Sequence, residues 1–287
     1  MDLNEETIED TFNINKVLET LFSSVKSIAT EKRIELLYEM DSTIPRKLRG
    51  DSDALLLVLN KILTFVFQNS DKKEIVLSLS SVEDFLYEEF ISFRIQETHI
   101  EKEKLQAFLK IHLNKEIEML GGNIVYDNEN MSDIHISIPF KNFELGFRRH
   151  YRLPHKNAVG KKILVICSND KTAQSLKKMF QYFHYDVHTG MDELKKHGND
   201  LSIYDILIIS EKMITEKTKE TIAKVQERAP LKYVLLRDPY DLEDDIKTDA
   251  EHFIKPITQE KVFDLIVSLY EEKPRTEKSD TTLIEKA

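Results

Sequence analysis

The chain has 287 residues, of which 41% are hydrophobic and 32% charged, a composition typical of a folded soluble protein with one large domain or two ordinary ones. Its one cysteine, Cys167, excludes an internal disulfide and a zinc site built from several cysteines. The net charge of −10 argues against a protein dedicated to nucleic acid, because such proteins usually present a basic face. The seven glycines form neither a Walker loop nor a dinucleotide fingerprint, which argues against ordinary nucleotide enzymes.

The sequence also predicts a cytoplasmic protein that makes no membrane contact. Residues 1–10 lack the basic start and the apolar run of a signal peptide. No apolar stretch approaches the roughly 18 residues that a bilayer-crossing helix needs.

The first half, residues 1–145, mixes helical and strand patterns. Apolar residues at three-to-four spacing predict helices over Phe12–Lys32, Asp51–Val66 and Lys104–Leu120, with Gly121-Gly122 closing the last one. Strand patterns occupy Arg33–Met40, Glu74–Ser80, Phe90–Gln96, Asn123–Asp127 and Asp133–Pro139. This order predicts an α+β sandwich with largely antiparallel strands.

Residues 146–160 are basic and carry Pro154 and Gly160, so we interpret them as a solvated linker. In the chain beyond it, residues 161–272, short apolar strand patterns alternate with helical patterns. The predicted strands are Lys162–Ile166, Tyr185–Thr189, Ile206–Ile209, Tyr233–Leu236 and His252–Ile254. The predicted helices are Lys171–Tyr182, Met191–Lys196, Thr215–Arg228, Leu242–Thr248 and Gln259–Glu272. Such alternation predicts an α/β doubly wound parallel sheet, followed by a disordered polar tail over 273–287.

Motifs in the first half resemble those of a histidine-kinase ATPase domain. Thr43-Ile44-Pro45, Gly50-Asp51 and the helix at 54–67 are similar to the approach to that domain's first nucleotide-binding helix and to the helix itself. The segments 119–124 and 136–140 are similar to its last helix turn and its closing strand.

Motifs in the second half resemble those of a response-regulator receiver domain, which has a flavodoxin-like fold. Residues 163–166 correspond to its first strand, 204–209 to its third and 254–257 to its lysine-proline turn. The order of the two halves is that of the C-terminal part of a hybrid sensor histidine kinase.

The resemblance implies that the nucleotide site of the first half is degenerate. The asparagine that holds magnesium in the family aligns with Phe65, and an aromatic ring cannot coordinate a hard cation. In the adenine-binding motif, Glu97 can still accept a hydrogen bond, but His99 and Glu101 replace both glycines. The family's lid and second glycine box have no counterpart. We therefore expect no nucleotide, metal or other cofactor, and we expect Phe65 to turn into the core.

The resemblance implies a degenerate phosphorylation pocket in the second half as well. The family's pocket positions align, in chain order, with Cys167, Ser168, Ser210, Arg237 and Lys255. A serine hydroxyl cannot form an acyl phosphate, and a pair of neutral side chains does not hold magnesium. Without carboxylates this pocket is expected to lean positive, with Arg237 paired to Asp238 or Asp244.

Two functions remain open. The first is a non-catalytic two-component signalling module, a pseudo-kinase ATPase domain joined to a pseudo-receiver, that acts through protein–protein interaction. The alternative is a divergent hybrid histidine kinase fragment with residual ATP binding or phosphotransfer. The expected partners are histidine kinases, receivers or phosphotransfer proteins, and dimerisation is left open. Receivers commonly dock through the face that here carries Tyr233, Tyr240 and Lys255–Ile257, so we expect partner contacts there.

Overall fold

The computed structural model describes residues 10–84, 88–125, 133–142, 151–153, 156–240 and 250–270, without the side chains of 82–84 and 142. These residues form two β-sheets, each packed against helices, and the two halves contact each other directly. None of the helices in this part of the chain is long and apolar enough to cross a membrane.

The first half is an α+β sandwich, as predicted. Its strands are β1 (Asp10–Asn13), β2 (Glu35–Met40), β3 (Lys47–Gly50), β4 (Glu74–Asp84), β5 (Glu88–Ile95), β6 (Asn123–Ile124) and β7 (Ile134–Asn142). Its helices are α1 (Ile14–Lys32), α2 (Ser52–Asn69), α3 (Lys102–His112) and α4 (Asn114–Met119). The strand order is β1-β3-β7-β5-β4-β2, with β6 also on β7; β2 runs parallel to β4, and the other pairs are antiparallel.

Local sequence explains where these helices begin and end. The Asp51 side chain accepts the backbone N–H of Ala54 at 2.8 Å, which satisfies one of the unpaired donors at the start of α2. The predicted third helix is two helices, α3 and α4. Gly121 follows α4 with a φ of +69°, the left-handed conformation that glycine adopts without a steric penalty. The predicted patterns missed β1 and β3, each four residues long.

The second half is a doubly wound parallel sheet, as predicted. Its strands are β8 (Lys162–Ile166), β9 (Asp186–Thr189), β10 (Ile206–Ser210), β11 (Lys232–Arg237) and β12 (Glu251–Ile254). Its helices are α5 (Asp170–Gln181), α6 (Met191–Lys196), α7 (Glu216–Gln226) and α8 (Gln259–Tyr270). All strands pair in parallel, in the order β12-β11-β10-β8-β9. The predicted helix at 242–248 lies outside the described residues.

The edge strand β2 joins the two halves. Its even-numbered residues, among them Leu36, belong to the apolar core of the first half, and its odd-numbered residues face the second half. Helix α5 lies against this second face, and the Ser175 hydroxyl donates to the Tyr38 carbonyl at 3.0 Å. The outward face of β2 therefore holds the second half in place.

A second contact region lies at the start of α1. The Asn13 side chain donates to the Glu260 carboxylate at 2.5 Å, and the Glu260 backbone N–H donates to the Asn15 side-chain oxygen at 3.2 Å. The Asn15 amide donates to the Tyr151 hydroxyl at 2.7 Å, and the Tyr151 ring is packed edge-on to Phe183. Tyr151 is buried, so this part of the predicted linker is not solvated. The domain limits themselves stay predictions.

Candidate functional site

The carboxyl ends of the parallel strands bring most of the predicted pocket residues to one edge of the second sheet. Ile166 of β8 pairs with Ile209 of β10, and Ser210 pairs with Leu236 of β11, so Cys167 and Ser210 leave the sheet side by side. Arg237 pairs with Ile254 at the end of β12, immediately before Lys255. This edge is where α/β sheets of this kind usually place their ligands.

Lys255 is at the centre of this pocket, and its side chain is only 6% exposed. Its ammonium donates to the Glu35 carboxylate of the first half at 2.6 Å and lies 3.1 Å from the Asp238 carboxylate. Burial alone would lower the pKa of Lys255, but its hydrogen bond to Glu35 and the charges of the Glu35 and Asp238 carboxylates outweigh burial, so the pKa is raised. Lys255 is therefore charged at neutral pH and satisfied by carboxylates of its own chain.

Two further ion pairs surround Lys255. The Arg237 guanidinium donates to Glu211 at 2.9 Å, and Lys212 reaches Asp238 at 2.5 Å. Burial would raise the pKa of Asp238, but hydrogen bonds and charge from Lys212 and Lys255 outweigh burial, and the pKa is lowered.

These pairs correct the expectation of a positive pocket, because among the residues described here three carboxylates, including Glu35 from the first half, balance three cations. Among the described residues, Arg237 pairs with Glu211, which the sequence did not predict; Asp244, one of the two acids that were expected, lies outside the described residues. Asp238 follows β11 directly, and this position could have indicated from the sequence that it supplies a carboxylate to the pocket. Glu35 gave no such signal, because it lies 220 positions from Lys255.

The three positions that align with the family's acidic residues hold neutral side chains. Burial raises the pKa of the half-buried Cys167 thiol, which is therefore protonated at neutral pH. Ser210 is buried at the end of β10, and Ser168 is exposed in the loop before α5. A thiol and two hydroxyls at neutral pH supply no negative charge for a hard cation.

The predicted partner face is partly occupied by the chain itself. The Tyr240 hydroxyl donates to the Ile34 carbonyl at 2.7 Å, and burial raises the pKa of Tyr240 to about 12. Together with Lys255, Tyr240 therefore contacts the first half, where an external partner was expected. The prediction of a free docking face around these two residues is wrong, because Ile34 and Glu35 of the first half already contact them.

At the position that the resemblance aligns with a nucleotide site, two aromatic rings lie face to face. Phe65 of α2 and Phe108 of α3 have ring centroids 3.8 Å apart and an interplanar angle of 2°. Lys61 and Glu116 add an ion pair at 2.5 Å between α2 and α4. The sequence predicted that the Phe65 ring turns into the core, but in the structure Phe65 is only half-buried. Its ring lines an open cavity of about 400 Å³. The stack joins the helices directly at the position that the resemblance assigns to magnesium.

The segment aligned with the adenine-binding motif keeps an unusual backbone. Glu97 and His99 have φ values of +49° and +55°, a conformation that is costly for residues with a side chain. The Glu97 carboxylate accepts from Lys72 at 2.8 Å, which lowers its pKa, and His99 lies 3.0 Å from Asp71. Glu101, which is exposed, precedes α3 without a side-chain capping bond. The Glu97 carboxylate thus already has an ammonium partner.

Solved structures with a similar fold include one that matches both sheets of this chain. The crystal structure of full-length ShkA in complex with AMPPNP superimposes with a TM-score of 0.65 over 93% of this chain and 58% of that chain, at 14% identity. The chain has the fold of the C-terminal part of a hybrid histidine kinase. The matched region amounts to 58% of the length of the ShkA chain.

Two other similar structures each match less than half of this chain. The Acinetobacter baumannii histidine kinase AdeS matches 48% of this chain and 70% of its own, at 15% identity and a TM-score of 0.38. Histidine kinase ThkA in complex with response regulator protein TrrA matches 46% of this chain and 41% of its own, at 14% identity and a TM-score of 0.36. No protein-family model and no curated protein matches the sequence.

Proposed function

We propose that this chain is a non-catalytic signalling module of the two-component type, a pseudo-kinase ATPase domain and a pseudo-receiver that act through protein–protein interaction. The observation that carries the proposal is the contact of Lys255 with Glu35, which ties the one retained receiver residue to the other half of the chain. The proposal places the module in the cytoplasm, with histidine kinases, receivers or phosphotransfer proteins as its partners.

The chemistry of the receiver-like pocket supports this proposal. Aspartyl phosphorylation needs a carboxylate nucleophile and further carboxylates that hold magnesium. Cys167, Ser168 and Ser210 provide neither, and the pocket carboxylates Glu35 and Asp238 are already paired with Lys255. An incoming phosphoryl group would have to displace Glu35 from Lys255 and would break this contact between the two halves. A pocket closed in this way serves as a contact between the two halves.

The first half supports the same proposal. The Phe65–Phe108 stack stands where the family places a magnesium-bound asparagine, and a hydrocarbon ring offers no oxygen ligand. A nucleotide whose phosphates are not neutralised by magnesium would meet the pairs Lys61–Glu116 and Lys72–Glu97, in which both ammonium groups already have carboxylate partners.

One observation favours the alternative of residual nucleotide binding. The cavity beside the stack is large enough for a small organic molecule and has polar groups at its wall, contributed by Asn60, Lys61, Thr64 and Gln68. An adenine ring inserted there would lie against Phe108.

Calorimetric titration with ATP separates the two functions. We expect no heat of binding with or without magnesium, and no change after Phe65→Asn, because one amide does not rebuild the site. Micromolar binding that requires magnesium would overturn the proposal and support the alternative. Binding that is independent of magnesium and is lost in Phe108→Ala would also favour the alternative.

Incubation with acetyl phosphate and magnesium tests the second half, with intact mass as the readout. We expect no phosphoryl adduct on the wild-type chain. An acid-stable adduct on Ser210 or an acid-labile adduct on Asp238 would refute the non-catalytic reading. Lys255→Met is the control, because it removes the lysine that receiver chemistry requires and should abolish any true phosphotransfer.

A further inference from the structure

A cluster of two imidazoles and a carboxylate lies on the second half, at the end of the edge strand β9. It consists of His188, Glu193 and His197, and one ligand atom of each lies within 4.8 Å of the others. The Glu193 carboxylate lies 3.6 Å from His188 Nδ1 and 3.9 Å from His197 Nε2. The pocket around Lys255 shares no residue with this cluster.

A helical spacing and a turn bring these three residues together. Glu193 and His197 are four residues apart at the end of α6 and therefore share one face of the helical turn. His188 is presented by β9, and the turn at Gly190, with a φ of +86°, brings α6 back beside the strand. The spacing His-x4-Glu-x3-His thus converges on one point.

The His188 ring is held in an orientation that suits a metal ligand. Its Nε2 lies 3.3 Å from the Asp186 carboxylate, two residues earlier on the same face of β9. The Asp186 charge favours a proton on Nε2, which leaves the lone pair of Nδ1, the nitrogen that lies 3.6 Å from the Glu193 carboxylate. Metal-binding histidines commonly have a carboxylate beside their other ring nitrogen. The Tyr204 ring packs edge-on against His188 at 5.5 Å, and its hydroxyl lies 3.3 Å from Nδ1.

The Glu193 carboxylate is oriented as well. One oxygen accepts from Lys196 at 2.7 Å, and the other is the atom that faces the two imidazoles. The side chains of His188 and Glu193 are 18% and 27% exposed, and that of His197 is 40% exposed. The cluster is therefore open to solvent on the His197 side, which gives an ion a path of entry and a coordination position for water.

We propose that His188, Glu193 and His197 bind a divalent transition metal of the zinc class. Two imidazole nitrogens and one carboxylate oxygen are ligands that zinc accepts, with a fourth position left for water. Zinc–nitrogen and zinc–oxygen bonds of about 2.1 Å place tetrahedral ligand atoms about 3.4 Å apart. The observed separations approach this value, and rotation of the exposed His197 ring brings the third ligand in. A bound ion would tie the end of β9 to α6.

The test uses the full chain after treatment with a chelator, titrated calorimetrically with zinc sulfate. We expect one equivalent of zinc per chain, and a loss of affinity of about tenfold or more in His197→Ala and in Glu193→Gln. Asp186→Asn should weaken binding through the orientation of His188. The matched control is His99→Ala, which removes an exposed histidine paired with a single carboxylate and should bind zinc as the wild type does.

Two further readouts keep the test independent of folding defects. His197 is exposed, so His197→Ala should unfold at the wild-type temperature without metal, and only the wild type should gain stability on adding zinc. Cobalt(II) bound at the same place should give the intense visible absorption of a tetrahedral ion. Equal zinc affinity in wild type and His197→Ala, or a weak octahedral cobalt spectrum, would overturn the proposal.

Discussion

The contribution of the Lys255–Glu35 contact to the free energy of unfolding can be predicted and measured. Glu35→Gln keeps the shape of the side chain and removes its charge, and Lys255→Met removes the ammonium while keeping most of the apolar stem. The two single variants and the double variant form a double-mutant cycle, which isolates the energy of the contact itself.

The structure sets the magnitude of this coupling. Hydrogen bonds to charged groups contribute about 1.5–3 kcal/mol, and breaking a fully buried pair costs about 3–5 kcal/mol. Lys255 is nearly buried, but the Glu35 side chain is 28% exposed and Asp238 remains 3.1 Å from the ammonium. We therefore expect a coupling free energy near the low end, about 2 kcal/mol, with Glu35→Gln alone costing about 1–2 kcal/mol.

Urea unfolding followed by far-ultraviolet circular dichroism measures these values, since the chain has no tryptophan for fluorescence. The matched control is the pair Lys178–Glu39, which crosses the same interface with side chains 63% and 42% exposed. Its coupling should be below about 0.5 kcal/mol, as for other exposed pairs. A Lys255–Glu35 coupling no larger than that of the control would refute the view that this contact joins the two halves.

Three further expectations follow from the pocket and the aromatic stack. Amide NMR signals around Lys255 should not shift when magnesium and beryllofluoride are added; shifts clustered there would mean that the pocket still switches. The pKa of Tyr240 is raised from 10 to about 12, so its contribution to stability is complete below pH 10 and is lost as the pH rises toward 12. Tyr240→Phe should remove that part of the alkaline loss, and an unchanged profile would contradict the assignment. Phe65→Asn should cost about 1–2 kcal/mol in urea unfolding, from the lost stack on Phe108 and a partly buried ring; a cost near zero would mean that the stack is not formed.

The sequence was most informative where a pattern is local. The apolar run at 163–166 predicted a buried strand, and the parallel register then brought Cys167 and Ser210 to one edge. The helix α2 could be predicted from Asp51 and the apolar residues that follow it, because capping and periodicity are both read within a few residues. Strands β1 and β3 gave too little pattern in four residues each to be recognised.

The sequence was least informative about contacts between the halves. Glu35 appeared as one polar position in a strand, and nothing near it indicated that it would meet Lys255. Tyr240 was expected to face a partner because receivers commonly dock through that face, and nothing near Tyr240 in the sequence indicated that it would contact the first half. The cluster of His188, Glu193 and His197 was missed for a different reason: its spacing is visible in the sequence, but its convergence depends on the turn at Gly190.

The position of β2 has a consequence for producing either half separately. A strand at the end of a sheet exposes unpaired backbone groups and is a template for pairing with other chains. On β2, the odd-numbered residues, including Leu37, lie under α5, so a fragment ending before the second half would present that strand and an apolar side chain to solvent. The second half would in turn lose the carboxylate that Lys255 contacts. Isolated halves are therefore expected to aggregate at concentrations where the whole chain stays monodisperse, and light scattering of the two fragments measures this.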